Sequence, residues 1–238
     1  MRLKKKVFII QICIIAFFIV GCSKSPQDYY PMKENTTMKY KIVMETRKRD
    51  NINSNSIDIK KTDMELERVF LSPEKLKEKE VFPIKQNFGN NRVSYLYVTK
   101  EKDGYAMYAE KGMNAKEPTI HNDPKYFIKN PIEVGNKWDY KGVMINAPNQ
   151  LPVTLVCNID SITDSVSVPM GTFEKCLKVK CEGQAEFSYP LLGTIKFNNS
   201  IRWWFAPGVG IVKSEQINSC SLDTIPTSTT YMELISKK

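Results

Sequence analysis

The chain has 238 residues and a formal net charge of +9, from 35 basic and 26 acidic side chains. Four of the basic residues precede Cys22 and every acidic residue follows it, so the chain from Cys22 onward carries only +5. That excess is mild and spread along the sequence, which argues for solubility and against a nucleic-acid footprint. The length suits one substantial core or two small ones.

Arg2, Lys4, Lys5 and Lys6 precede an apolar run from Val7 to Val20 that is interrupted only by Gln11. As a helix this run spans about 21 Å, short of the ~30 Å hydrocarbon core of a bilayer. It fits the h-region of a signal peptide better than a membrane span. The run ends Ile19-Val20-Gly21-Cys22, which resembles the lipobox of bacterial lipoproteins. The resemblance implies that residues 1–21 are a signal peptide that is removed and that Cys22 is acylated, palmitate being the expected chain type. A short membrane anchor with an incidental cysteine is the competing reading, disfavoured by length. Two or more acyl chains hold a protein stably at a bilayer where one holds it marginally.

Ser23 stands where an aspartate would favour inner-membrane retention in enteric bacteria. The expected location is therefore the cell envelope, at the outer membrane facing the periplasm, or otherwise the outer face of the cytoplasmic membrane. Residues 22–29 form the lipidated cysteine and a polar tether, of which Ser23 to Asp28 reaches roughly 20 Å when extended. Membrane lipid is the expected partner through acylated Cys22, with an envelope protein or a lipid ligand as a further one. Export removes nucleic acid as a partner.

From residue 30 onward the pattern predicts strand after strand. Lys39–Thr46 and Ile57–Phe70 read as strands around a polar loop at 51–56. Ser72-Pro73-Glu74 offers a serine N-cap and a proline at the first helical position, which predicts one short helix. The alternating Glu74, Lys75, Lys77, Glu78, Lys79 and Glu80 form a solvated element rather than a basic patch. Val93–Lys100 and Tyr105–Glu110 flank Asp103-Gly104, a strong hairpin signal. Val153–Ile159 alternates apolar and polar residues, Asp160–Asp164 reads as a turn, and Val166–Val168 resumes. Pro169-Met170-Gly171 is a turn into Thr172–Cys181. Thr194–Phe205 follows, then Pro207-Gly208 in a type II turn, Ile211–Gln216 and Tyr231–Ile235.

Residues 31–40 echo residues 131–140 at an offset of 100. In each, a proline and a bulky apolar residue precede a polar turn, and an apolar residue then shares a strand face with Tyr40 or Tyr140. The first copy has Glu34, Asn35 and Met38 where the second has Val134, Gly135 and Trp138. Two stacked meander halves of related design, dividing near 125–130, are expected. The runs Pro131–Tyr140, Gly171–Val179 and Trp203–Lys213 resemble uncharacterised β-rich bacterial envelope lipoproteins with G-x-W-x-Y, G-T-F-x-x-C-x-x-V and W-x-A-P-G-V-G-x-V-K motifs. That resemblance covers the second half and implies a fold and a location, with no activity or catalytic residues to carry over. The fold class expected is all-β and mainly antiparallel, as a curved sheet, sandwich or half-barrel with at most one short helix.

Six cysteines less Cys13 and Cys22 leave Cys157, Cys176, Cys181 and Cys220, with three pairings open outside the cytoplasm. Cys157 shares a face with Val153, Leu155 and Ile159, and Cys181 with Leu177 and Val179, so Cys157–Cys181 is the first pair to try. Buried free thiols are an equal alternative. None of the spacings suits zinc, and no catalytic, cofactor or metal site is legible. Gly208-Val209-Gly210 lacks the third glycine of a dinucleotide fingerprint and a following helix. His121, the single histidine, lies in Ile120-His121-Asn122-Asp123-Pro124, which reads as a surface loop; a histidine-based triad would have to centre on it.

One further residue stands out. Ile195, Phe197, Ile201, Trp203 and Phe205 share one face of their strand, while Trp204 lies on the opposite, polar face. It either sits under a loop such as Leu222–Thr230 or serves as a surface contact for lipid or ligand. The function expected is a non-enzymatic β-rich module that binds or scaffolds an envelope component. The alternative is a lipid or lipoprotein carrier whose Trp138, Tyr140 and Trp203 line an apolar void. A hydrolase is the least favoured reading.

Overall fold

The computed structural model describes residues 28–49, 57–144, 151–189, 191, 193–222 and 224–238. Residues 1–21, expected as a removed signal peptide, and Cys22, expected to be acylated, lie outside these residues. Among the described residues there are thirteen strands and no helix. They are β1 (Thr37–Arg49), β2 (Ile57–Phe70), β3 (Glu74–Leu76), β4 (Lys79–Asn87), β5 (Val93–Glu101), β6 (Gly104–Lys111) and β7 (Thr119–Lys129). The second half supplies β8 (Lys137–Met144), β9 (Leu151–Val168), β10 (Gly171–Tyr189), β11 (Gly193–Ala206), β12 (Gly210–Cys220) and β13 (Thr227–Lys237).

Every pairing is antiparallel, and the sheet runs β7-β6-β5-β4-β2-β1-β13-β12-β11-β10-β9-β8, with β3 attached to β4. Two meanders thus lie side by side in one sheet rather than stacked, joined where β1 runs against β13. The sheet curls until its two ends, β7 and β8, approach each other. No ladder joins these ends among the described residues; Trp138 Nε1 donates to the Tyr126 carbonyl at 2.8 Å, and Lys141 pairs with Asp123. The result is a nearly closed, barrel-like all-β body.

Alternation explains why these residues form these strands. Along β9, Val153, Leu155, Cys157 and Ile159 are buried while Thr154, Val156 and Asp160 are exposed. β11 repeats the pattern with Ile195, Phe197, Asn199 and Ile201 inward and Lys196 and Asn198 outward. The inward faces make one core, continued by Leu177 and Val179 of β10 and Met232 and Leu234 of β13. Burying one such side chain stabilises by about 1.5–3 kcal/mol.

The entries to the two meanders match in conformation. β1 starts at Thr37 and β8 at Lys137, one hundred residues apart, and each is preceded by a positive-φ residue, Asn35 at 60° and Gly135 at 90°. Asparagine is among the few side chains that tolerate this region, so it can stand where the other half has glycine. Met38 and Trp138 are both buried just after the turn. Tyr40 is buried and donates to the Ile211 carbonyl at 3.0 Å, while Tyr140 packs edge-on against Trp203.

Three local expectations are corrected. Ser72-Pro73-Glu74 opens no helix: Lys77 takes φ 55° and turns the chain, so β3 folds back on β4. The polar run there alternates with period two, and Leu76 packs with Val81, Tyr97 and Ala109 in a small satellite cluster. Asp160–Asp164 is no turn either, because β9 continues to Val168. Its ladder with β10 shifts register three times, and Lys175 sits at φ 57°, so bulges absorb the broken alternation. The polar side chains are met from β10, by Lys178 on Asp160 at 2.8 Å and Glu174 on Ser165 at 2.8 Å.

The third correction concerns His121, which lies in strand β7 rather than in a loop. Between Met107↔Lys125 and Ala109↔Ile120 the register slips, leaving extra residues on β7. Asn122-Asp123-Pro124 occupies this bulge, where a proline removes no ladder bond.

Gly183 of β10 is required for close approach. A Cβ there would lie 2.5 Å from the Thr154 carbonyl oxygen and 2.7 Å from Leu155 Cδ2. Gly183→Ala is expected to destabilise by about 1–3 kcal/mol, read as a lower urea midpoint at unchanged slope. An unaltered midpoint would show that β9 and β10 are free to separate there.

Candidate functional site

The chain threads the sheet so that its two ends differ. At one end lie Asp28–Thr36, the β5–β6 and β11–β12 turns and the 130–136 connection; at the other lie the 112–118 and 221–226 connections. The first end is closed. Tyr30 is buried, its ring centroid 4.7 Å from Phe127, 5.8 Å from Tyr105 and 6.2 Å from both Phe70 and Phe205. These four rings come from β7, β6, β2 and β11, so one side chain ties both meanders together. Asp28 fixes the segment: its carbonyl accepts from Gly208 N at 2.8 Å, and its carboxylate accepts from Tyr105 Oη at 2.7 Å. Asp28 and Tyr29, expected as the end of the tether, are therefore held on the body.

Towards the other end the concave face opens into a cleft of about 260 Å³. Its apolar wall includes Met107 of β6, Val153 and Leu155 of β9, and Tyr140 and Trp203, whose ring centroids are 5.8 Å apart. Its polar wall is Glu110, Lys125, Asn199, Ser214 and Gln216. Asn199 is only 4% exposed, yet its Oδ1 has no hydrogen-bond partner. Such an orphan acceptor costs about 1–3 kcal/mol, so its position is unusual in a folded core.

Beside the cleft, Glu110 Oε1 stands 3.5 Å from His121 Nε2 and 3.7 Å from Lys125 Nζ. His121 is mostly buried, against the expectation of a plain surface histidine, and its Nε2 forms no hydrogen bond. Burial, reinforced by Lys125, holds its pKa below the ordinary value despite the opposing pull of Glu110. Burial, with the Glu110 charge adding to it, pushes the Tyr140 phenol up to about 12. At neutral pH the cleft therefore carries neutral His121 and Tyr140 and one compensated pair, Glu110 with Lys125.

This histidine gives stability a pH dependence. Its folded pKa is depressed, so the unfolded chain binds the proton more tightly and the contribution is complete above pH ~6.5. It is lost as pH falls through the lower, folded value. Urea midpoints should decline as pH falls from ~6.5 through that value in the parent and decline less in His121→Gln. Parallel curves would assign the loss to other groups.

The remaining candidates are placed as follows. Cys157 and Cys181 lie directly opposite one another on β9 and β10 and are joined as a disulfide. Cys176 is a buried free thiol, its pKa pushed up to about 11 mainly by burial, and Cys220 is free and half-buried. Trp204 lies on the convex face, where its Nε1 donates to Asp164 Oδ2 at 3.1 Å. Lys178 and Lys213 flank its ring at 5.7 and 5.9 Å. Neighbouring strands therefore cover much of the ring. Trp138 is buried at the β7–β8 seam, whereas Tyr140 and Trp203 line the cleft. Among the described residues no group of three His, Cys, Asp or Glu could hold a metal ion.

No family model and no curated protein matches the chain. Among solved structures it is similar to a candidate exported protein with a YmcC-like fold from Bacteroides fragilis, at 15% identity and a TM-score of 0.40. The match covers 89% of this chain and 99% of that one. It is also similar to a candidate lipoprotein from Parabacteroides distasonis, at 16% identity and a TM-score of 0.39, over the same shares of each chain.

Proposed function

We propose that this protein is a lipid-anchored component of a bacterial envelope whose barrel-like body is a non-enzymatic binding module. The anchor is the acylated Cys22 implied by the lipobox, at the outer membrane facing the periplasm. The observation that carries the reading is the opposition of the two ends of the sheet. Asp28–Tyr30 seals the end nearest the anchor, and the cleft lies toward the other. With six residues between Cys22 and Tyr29, the sealed end stays within roughly 20 Å of the bilayer. The cleft then faces away from the membrane that holds the protein.

The wall composition argues for a small, partly polar ligand over an acyl chain. A chain of methylenes would bring no hydrogen-bond partner to Asn199, Gln216 and Ser214 and would strip water from the Glu110–Lys125 pair, each at a cost. His121 Nε2 meets a carboxylate rather than a hydroxyl, an arrangement that activates no nucleophile.

Two measurements test this. Intact mass of the membrane-extracted protein should show loss of residues 1–21 and acyl mass on Cys22, and Cys22→Ser should abolish both, leaving an unacylated chain that still carries residues 1–21. Native mass spectrometry of gently extracted material should show no lipid adduct beyond the covalent chains. A stoichiometric adduct of free lipid would turn the assignment to a carrier.

A further inference from the structure

We infer that the cleft takes a neutral, hydroxyl-bearing ring of monosaccharide size, recognised by Asn199, Gln216 and Ser214 and by the Trp203–Tyr140 pair. This rests on the binding-module reading and specifies its ligand.

Asn199 carries the argument. It occupies a position on β11 where Phe197 and Ile201, two residues to either side, are apolar and buried. A leucine or valine would continue that face without leaving a polar atom unsatisfied. Asn199 is instead 96% buried at the cleft wall, and nothing donates to its amide oxygen. A partner for it must bring a hydrogen-bond donor into the cleft. Ser214 and Gln216, alternate residues on the same face of β12, can both donate and accept. That set suits hydroxyl groups, which also do both.

Charge and size narrow the class. Glu110 is compensated by Lys125 at 3.7 Å beside an uncharged His121, so neither an anion nor a cation finds an unspent countercharge. The cleft's volume of about 260 Å³ equals that of about nine waters at ≈ 30 Å³ each, room for a single hydroxylated ring. Trp203 and Tyr140, half-buried and set edge-to-face, offer a flat apolar surface to the C–H side of such a ring. A sugar combines one apolar face with a rim of hydroxyls, which is the pattern this wall complements.

The test uses the full lipidated chain in a sugar-free detergent, titrated with a panel of neutral monosaccharides while tryptophan emission is followed. At least one should give a saturable change at millimolar concentration or below. Asn199→Ala should weaken it at least tenfold and Trp203→Phe should remove most of the signal, with circular dichroism unchanged. If Asn199→Ala fails to fold, Gln216→Ala on the same wall should weaken binding at least threefold. A folded protein with no response to any sugar overturns the inference, as does binding indifferent to these substitutions. If neutral nucleosides or short peptides bind instead and depend on Asn199, only the sugar class fails. If the same sample holds free lipid in native mass spectrometry, the binding-module reading fails with it.

Discussion

Replacing Tyr30 with alanine is expected to lower stability by about 3–5 kcal/mol, the range for deleting a large buried aromatic side chain. The loss is large because this ring is not one more member of a strand face. It stands before the first strand and touches rings from β2, β6, β7 and β11, which belong to both meanders. No ladder joins β7 to β8 among the described residues, and the contacts of Tyr30 with Phe127 of β7 and Phe205 of β11 link the two meanders across the core instead. Tyr30→Phe should cost far less, since the ring contacts survive. Asp28→Ala should fall between them, because it removes the acceptor for Tyr105 and Gly208 remains bound to the backbone carbonyl. Chemical denaturation followed by near-ultraviolet circular dichroism reads all three. A Tyr30→Ala protein as stable as its parent would mean that the sealed end contributes nothing to holding the sheet closed.

Replacing Cys157 and Cys181 together with alanine is expected to cost about 3 kcal/mol. The closed loop spans 24 residues in sequence, and loop-closure entropy of the unfolded chain alone accounts for about that much. Both side chains are fully buried, so the missing sulfur atoms add a packing loss of the same sign. The parent protein unfolded in reductant should lose the loop-closure part and remain somewhat more stable than the double variant, whose midpoint reductant should leave unmoved. If reductant leaves the parent midpoint unmoved, the two thiols are unlinked in solution and the buried-thiol alternative holds. Cys176, inert through burial, gives the control: Cys176→Ala should leave the reductant effect intact.

Much of the second half was legible because its strands alternate cleanly. Val153 to Ile159 and Ile195 to Phe205 each announce a buried face, and matching those faces brought Cys157 and Cys181 together on paper. The all-β class and the hairpin at Asp103-Gly104 were readable on the same grounds. β7 was not, since Asn122-Asp123-Pro124 is turn chemistry and only the tertiary ladder shows that it fills a bulge. β3 was hidden by a serine–proline pair that suits a helix start, while the decisive residue, Lys77 at φ 55°, carries no turn signature of its own. The long β9 was cut short by its acidic residues, of which Asp160 is met by Lys178 of β10 and Asp164 by the Trp204 indole of β11.

The cleft itself was out of reach of local patterns, because its wall is drawn from β6, β7, β8, β9, β11 and β12. One signal was available. Asn199 interrupts the series Ile195, Phe197, Ile201, Trp203, and a polar residue at an apolar register marks a buried polar site. Glu110, Lys125 and Gln216 carry no comparable mark, since each becomes special only when the sheet curls and brings distant strands to one face. Cys22 shows the reverse: it is prominent in sequence and lies outside the described residues.

The seam between β7 and β8 gives the cleft a hinge line. Everywhere else, widening the wall would break rows of amide-to-carbonyl bonds, which yield only as a cooperative unit. Along the seam it would loosen the Trp138 indole, the Lys141–Asp123 pair and the Asn136 amide bond to the Lys129 carbonyl, and Tyr140, two residues beyond Trp138, would leave Trp203 as β8 moved outward. A ligand of the proposed kind that is too wide for the resting gap would then enter sideways, by parting two strand edges, while the rest of the wall keeps its register.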